Sequence, residues 1–132
     1  HQAPWTDYSF YKGKINYPGV QITDSAALAA LTPEQRKKID SMNGEYNNTV
    51  MYEHMKLAID KADSLGLHLY CGEFGAYPYF IEKETRLRWY NDICNIFREH
   101  NIANCHWCYK GDFPVVNEDL TPNELPAILT RK

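Results

Sequence analysis

The sequence predicts an α/β fold built around a parallel β-α-β unit. Two short apolar runs with strand character, residues 67–73 and 102–109, flank a helical pattern at residues 81–100. A connection of that length cannot form a hairpin, so we expect the strands to lie parallel with a right-handed crossover. A long helical pattern at residues 49–65 precedes the first strand. The predicted order is helix, strand, helix, strand.

Local signals justify the elements of the first half. Residues 1–31 mix aromatic residues, Gly, Pro and Asp without periodicity, which predicts a loop with a short helix at residues 25–31. Thr32 then caps a helix that runs to about residue 42, because Pro33 and Gln35 complete a capping box. The helix at 49–65 follows from apolar residues at three- and four-residue spacing, and Gly66 ends it.

The second half continues in the same way. The helix at residues 81–100 has one apolar face, formed by Leu87, Tyr90, Ile93, Ile96 and Phe97. Residues 121–124 have the form of a second capping box, and Leu125, Ile128 and Leu129 are expected to dock a last short helix.

Composition excludes several classes of function. The chain has 132 residues, 44% hydrophobic residues and a net charge of −3, which is typical of one globular domain. It has no dense Lys/Arg run with interleaved aromatic residues, so we expect no nucleic-acid partner. No apolar run approaches the roughly 18 residues that a membrane span needs, so we expect no membrane partner. The four cysteines are interpreted as structural free thiols.

Glu73 is the residue that calls for a chemical explanation. It ends an apolar strand, and strand alternation places it on one face with Leu67, Leu69 and Cys71. Parallel α/β folds have their active sites at that end of the strands. We expect Gly72 and Gly75 to leave room for a ligand beside the carboxylate. The alternative is a strand-end glutamate that points into solvent or pairs with a basic side chain.

Trp107 lies at the equivalent end of the second strand, on one face with Cys105 and Tyr109. If the strands are neighbours, Trp107 stands beside Glu73, and Cys71 and Cys105 point inward one layer below. An indole face next to a carboxylate suits a sugar, because the ring attracts pyranose C–H groups while polar groups hold the hydroxyls. Taken alone, Trp107 is more typical of a core aromatic residue.

These residues resemble a known family. The run GEFG at 72–75, with NIANCHWCYKGDF at 101–113 after a helix, resembles the last two strands of glycoside hydrolase family 5, the cellulase-type (β/α)8 barrel. The opening HQAPW also resembles the loop after strand six. The resemblance implies that the chain is the C-terminal part of a TIM barrel, about strands 7–8 with helices 6–8, and that residues 1–132 are a C-terminal fragment of a single catalytic domain.

The resemblance also implies a reaction and its residues. Glu73 would be the nucleophile in retaining hydrolysis of a β-1,4-linked polysaccharide, Trp107 would stack under the sugar being cleaved, and Lys110 and Trp5 would contact neighbouring sugars. A second carboxylate protonates the leaving oxygen and then activates water. No metal or cofactor is implied, and the expected location is the bacterial exterior: secreted, periplasmic or at the cell surface.

Some family features are missing from the chain. The acid/base glutamate of the family lies in an Asn-Glu-Pro motif, and that motif does not occur here. A complete barrel needs about 250 residues. We therefore expect the chain to be inactive or poorly active alone, and to associate with the missing N-terminal half or with itself.

Three alternatives stay open. The chain could be a non-catalytic carbohydrate-binding fragment, or the complete enzyme could be a mannanase or xyloglucanase. Cys105 and Cys108 also invite a redox or zinc interpretation, but in a strand that spacing puts the two thiols on opposite faces. The histidines are interpreted as surface or helix-packing residues.

Overall fold

A computed structural model describes Trp5, residues 8–79 and residues 81–131. The opening residues 1–4, which carry part of the family resemblance, lie outside this part. In chain order the elements are β1 (Gly19–Val20), α1 (Ser25–Ala29), α2 (Pro33–Met42), β2 (Glu45–Tyr46), α3 (Asn48–Leu65), β3 (Tyr70–Phe74), α4 (Lys83–Glu99), β4 (Ala103–His106) and α5 (Leu125–Leu129).

The predicted helix boundaries are confirmed where the caps are strong. At the start of α2, the Thr32 hydroxyl accepts the Gln35 amide at 3.3 Å, and the Gln35 side chain accepts the Thr32 amide at 3.0 Å. The end of α3 is equally clear, because Gly66 adopts φ 63°, a left-handed conformation that side chains disfavour. None of the described helices has the length and apolar character needed to cross a membrane.

The start of α5 differs from the prediction. Thr121 bonds Asp119 instead of capping the helix, with its hydroxyl 2.6 Å from the Asp119 carboxylate. The first helical amide, that of Leu125, donates to the Asn123 side chain at 2.9 Å. The predicted capping box at 121–124 is therefore wrong, although Leu125 and Ile128 are buried as expected.

The parallel strand pair is confirmed. Strands β3 and β4 lie side by side in parallel, with Tyr70 opposite Ala103 and Phe74 opposite His106. Both strands are shorter than predicted. Residues 67–69 precede the start of the ladder, and β4 ends where the Cys108 amide turns to bond the Phe113 carbonyl at 3.0 Å.

A register irregularity between Cys71 and Phe74 changes the predicted faces. Leu69 and Cys71 pack against the helical core, as does Phe74, which is completely buried. Glu73 is exposed instead. The predicted face shared by Leu67, Leu69, Cys71 and Glu73 is therefore wrong, because a bulge breaks the two-residue alternation before the strand ends.

The core lies on one side of this sheet. Phe74 packs edge-on against Phe97 of α4, with ring centroids 5.0 Å apart. The opposite face is open in the described chain, since Tyr70 keeps 66% and Trp107 keeps 52% of its surface exposed. The two strands do not close into a barrel.

Candidate active site

Glu73 occupies the penultimate position of β3, near its carboxyl end. Its side chain is exposed. The bulge assigns the buried position at this end of β3 to Phe74 instead. The carboxylate therefore keeps its contact with water and points away from the helical core.

Trp107 follows the last residue of β4. Its amide donates to the Phe74 carbonyl at 2.9 Å, which continues the strand pairing one step past the ladder. Its indole is half exposed, and the peptide bond to Cys108 is cis. Glu73 and Trp107 therefore stand at the carboxyl ends of two adjacent parallel strands, as the predicted parallel topology requires.

The two glycines beside Glu73 have different environments. A Cβ on Gly72 would meet the Tyr70 ring at an ordinary 3.5 Å. A Cβ on Gly75 would lie 2.8 Å from the Trp107 carbonyl oxygen and 3.0 Å from the Phe113 ring. The expectation of ligand space at Gly75 is wrong, because protein atoms fill it.

This contrast predicts the effect of adding a methyl group at each glycine. We expect Gly75→Ala to lower the free energy of unfolding by about 1 to 3 kcal/mol, because a backbone oxygen and a packed ring must both move. The matched control Gly72→Ala should change it by less than about 1 kcal/mol. Urea unfolding of the two variants measures the difference. Equal losses would contradict the close approach at Gly75.

The loop after Trp107 presents Lys110. Lys110 is exposed, and its carbonyl accepts the Cys108 thiol at 2.9 Å. Phe113, at the base of the loop, is buried and lies 5.5 Å from the Tyr77 ring, centroid to centroid. The loop that carries Lys110 is thus packed against the loop that follows Glu73.

Trp5 lies in the core rather than at the site. It has no exposed surface, and its ring meets those of Tyr17 and Trp89 edge-on at 6.0 Å each. Its indole N–H is 3.4 Å from the Tyr77 carbonyl. The expected contact between Trp5 and sugar does not agree with this position, because a ring without exposed surface cannot stack on a ligand.

All four cysteines carry free thiols. Cys71 packs against the helical core, whereas Cys105 is exposed. The expectation that these two residues share an inward layer is therefore wrong, and the reason is again the face that Cys71 takes before the bulge. Among the described residues, no group of three or more His, Cys, Asp and Glu side chains could hold a metal ion.

His106 has a role that the sequence interpretation missed. It is half-buried at the end of β4, and its Nε2 lies 2.9 Å from the Tyr90 hydroxyl. Burial, with a smaller contribution from the Arg86 cation, lowers the pKa of His106 to about 4. The ring is therefore neutral at pH 7. A sequence signal for this role was the position of His106 directly before Trp107, at the end of the second strand.

The lowered pKa predicts acid sensitivity. Between pH 6.5 and pH 4, His106 is protonated in the unfolded chain but neutral in the folded chain. The contribution of neutral His106 to the free energy of unfolding is therefore fully present above pH 6.5 and decreases toward pH 4. We expect a loss of about 1 to 2 kcal/mol, reduced from the full linkage value because the ring is partly solvated.

Urea unfolding at pH 4, 5, 6 and 7 measures this loss, with His106→Gln as the control. Asp119 and Glu124 also have lowered pKa values, held by Thr121 and Lys83 respectively, and they remain in the variant. The difference between the two pH profiles therefore isolates His106. Parallel profiles would contradict the prediction.

Comparison with known proteins finds relatives of the chain by sequence. No family model matches the chain. It is 31% identical to endoglucanase C of Acetivibrio thermocellus and, equally, to endoglucanase C307 of Clostridium sp. (strain F1), over 137 aligned residues that include the whole chain. It is 30% identical to cellodextrinase A of Ruminococcus flavefaciens over 77% of the chain. The chain spans 39% of the length of each endoglucanase and 31% of that of the cellodextrinase.

Solved structures match the fold. The cellulose synthase subunit Z of Clostridioides difficile superposes over 99% of the chain and 39% of its own, with a TM-score of 0.64 and 14% identity. Thermotoga maritima Cel5A in complex with cellobiose superposes over 98% of the chain and 37% of its own, with a TM-score of 0.60 and 16% identity.

The fold and the comparisons define the class: this chain has the fold of part of a (β/α)8 barrel, and its whole length is similar to part of two endoglucanases. More particularly, it corresponds to the C-terminal part of a cellulase-type barrel, and the resemblance drawn from GEFG and from residues 101–113 is confirmed at that level.

Proposed function

We propose that this chain supplies the nucleophile and a sugar-stacking residue to a retaining endo-β-1,4-glucanase of glycoside hydrolase family 5. One observation carries the proposal: an exposed carboxylate, Glu73, and a half-exposed indole, Trp107, at the carboxyl ends of adjacent parallel strands. Active sites of parallel barrels lie at that end. Lys110 extends the same surface and would contact a neighbouring sugar.

The chemistry assigns a step to each residue. Ionised Glu73 attacks the anomeric carbon and forms a covalent glycosyl-enzyme, which water then hydrolyses. Trp107 covers the apolar face of the sugar and holds it in line with the carboxylate. The acid/base carboxylate, about 5 to 5.5 Å from the nucleophile in retaining enzymes, comes from the preceding part of the barrel.

The open sheet face supports an active site that is shared between this chain and a preceding part of the barrel. Tyr70, Cys105 and Trp107 are exposed on the side of the sheet away from the helices. Unpaired strand edges and an uncovered sheet face favour association. We infer that the missing N-terminal strands cover this face and complete the site, with self-association of the isolated chain as the competing outcome.

The substrate is proposed to be β-1,4-glucan, which the names of the endoglucanase relatives support. Mannan is the second candidate, because Thermotoga maritima Cel5A was also solved with mannotriose. A polymer of either kind is met outside the cytoplasm, so we place the complete enzyme in the secreted or periplasmic space or at the cell surface.

Release of reducing ends by the complete enzyme tests this proposal. Barley β-glucan, carboxymethyl cellulose and a β-1,4-mannan are compared at equal concentration. We expect cleavage of the two glucans in preference to mannan. A preference for mannan would show that mannan, the second candidate, is the substrate. If none of the three polysaccharides is cleaved, the proposed function is wrong.

A further inference from the structure

The Tyr90 hydroxyl bridges the two strand ends that form the candidate site. Tyr90 lies in the middle of α4 and is completely buried. Its oxygen accepts the Ala76 amide at 3.0 Å and lies 2.9 Å from His106 Nε2. Ala76 comes three residues after Glu73, and His106 comes directly before Trp107. One hydroxyl therefore contacts the segment that follows β3 and the side chain of the last residue of β4.

The direction of the Ala76 hydrogen bond is fixed. The Ala76 amide can only donate, so the Tyr90 oxygen accepts from it. In the tautomer of His106 that carries its proton on Nδ1, the Tyr90 hydroxyl donates to Nε2, and in the other tautomer Nε2–H donates to the hydroxyl. Burial raises the pKa of Tyr90 to about 12, and the pKa of His106 is lowered to about 4, so both groups are neutral near pH 7.

The bridge is part of a rigid arrangement. Phe74 packs edge-on against the Tyr90 ring at 6.3 Å, and the Arg86 guanidinium lies 5.9 Å from the centre of that ring. On the sheet side, the Trp107 amide bonds the Phe74 carbonyl at 2.9 Å. The ring is therefore held on several sides, which leaves the hydroxyl little freedom to move.

We propose that Tyr90 is a positioning residue, whose hydroxyl holds the backbone after Glu73 and the side chain of His106, which precedes Trp107, at the separation that catalysis requires. The inference rests on the proposed function and deepens it. Its physical basis is the sensitivity of rate to geometry, since a displacement of about 1 Å at a reacting group can cost about 100-fold. Tyr90 is too deeply buried to touch the substrate itself.

The test compares two tyrosines in the complete enzyme. Tyr90→Phe removes the bridging hydroxyl and keeps the ring. Tyr17→Phe is the matched control, because Tyr17 is also buried and its hydroxyl donates to Asp92 at 2.7 Å, in a bond that joins neither strand end. Tyr90→Phe loses the hydrogen bonds to the Ala76 amide and to His106, and Tyr17→Phe loses the one to Asp92, so both variants remove a hydroxyl with hydrogen-bond partners and keep the ring.

The readout is labelling by a 2-fluoro cellobioside with a dinitrophenyl leaving group, followed by intact mass. A merely structural defect lowers the fraction of enzyme that can be labelled, whereas a positioning defect lowers the labelling rate constant at saturating probe. We expect Tyr90→Phe to label completely but about 10-fold more slowly, and Tyr17→Phe to label at the wild-type rate. Adding Tyr90→Phe to His106→Leu should slow labelling by less than 2-fold beyond His106→Leu alone, because both act through one bridge.

Equal rate constants for Tyr90→Phe and Tyr17→Phe would overturn the inference and leave the proposed function intact. A reduced labelled fraction with an unchanged rate constant would overturn it as well, since that result describes folding alone. Wild-type enzyme that takes no label would overturn the proposed function, and the inference with it.

Discussion

Glu73→Ala is expected to abolish turnover by the complete enzyme. We expect kcat on β-1,4-glucan to fall by at least about 10³-fold, because the variant cannot form the covalent intermediate through which retaining hydrolysis proceeds. Glu73 is exposed in the described chain, so its loss leaves no cavity in the helical core, and we expect this part of the fold to form as in the wild type. Steady-state release of reducing ends, together with a thermal unfolding curve, measures both quantities.

The control for this variant is Glu118→Ala, another exposed glutamate, in the segment between β4 and α5. It should retain wild-type kcat.

Azide should also restore cleavage of a dinitrophenyl cellobioside by Glu73→Ala, because the small anion can attack the anomeric carbon from the vacated side. Glu73→Ala with unchanged turnover would exclude the nucleophile assignment. If the protein were instead a carbohydrate-binding fragment without catalytic activity, the unsubstituted protein would bind glucan and show no turnover.

The isolated chain of 132 residues is expected to be a poor hydrolase. It contains no Asn-Glu-Pro motif, and general-acid assistance to the leaving oxygen is worth about 10² to 10⁴ in rate. We expect polysaccharide cleavage to be slower than that of the complete enzyme by at least this factor. The comparison is made at equal molar concentration by release of reducing ends.

Two observations separate missing chemistry from failed folding. Co-expression with the N-terminal half should restore cleavage, and size-exclusion chromatography should show the two pieces eluting together. Without that half, the chain should self-associate through its open sheet face. A purified 132-residue chain that is free of other polypeptides and cleaves glucan at normal enzyme rates would contradict this prediction.

Much of the fold could be predicted because its signals are local. The capping box at Thr32 and the left-handed Gly66 act within one turn of chain, so their sequence pattern carries their geometry. The parallel pairing of β3 with β4 also follows from the chain itself, since a 17-residue helix between two strands leaves no room for a hairpin. Residues Gly19–Val20 and Glu45–Tyr46 pair as well, but two-residue strands are too short to show periodicity.

Several features of the site depend on contacts between distant residues and could not be predicted. The bulge that exposes Glu73 is set by the pairing of β3 with β4. Gly72 inside the strand permits a bulge there but does not fix its register. Gly75 was expected to give space to a ligand, but its neighbours are Trp107 and Phe113, more than 30 positions away. The burial of Trp5 likewise depends on Trp89.

The strand-end pair itself was predictable, because it follows from topology. Once two strands are parallel neighbours, residues at their carboxyl ends meet, and the types of Glu73 and Trp107 indicate sugar chemistry. Their supporting bridge was not predictable, since Tyr90 has the spacing of an ordinary apolar helix position and His106 that of a strand residue.

The most direct test of the central claim is peptide mapping of the complete enzyme after incubation with a 2-fluoro dinitrophenyl cellobioside. We expect one glycosyl adduct per chain, on the peptide that contains Glu73, and none in Glu73→Ala. An adduct on another carboxylate would contradict it, as would a wild-type enzyme that hydrolyses glucan without ever accumulating label.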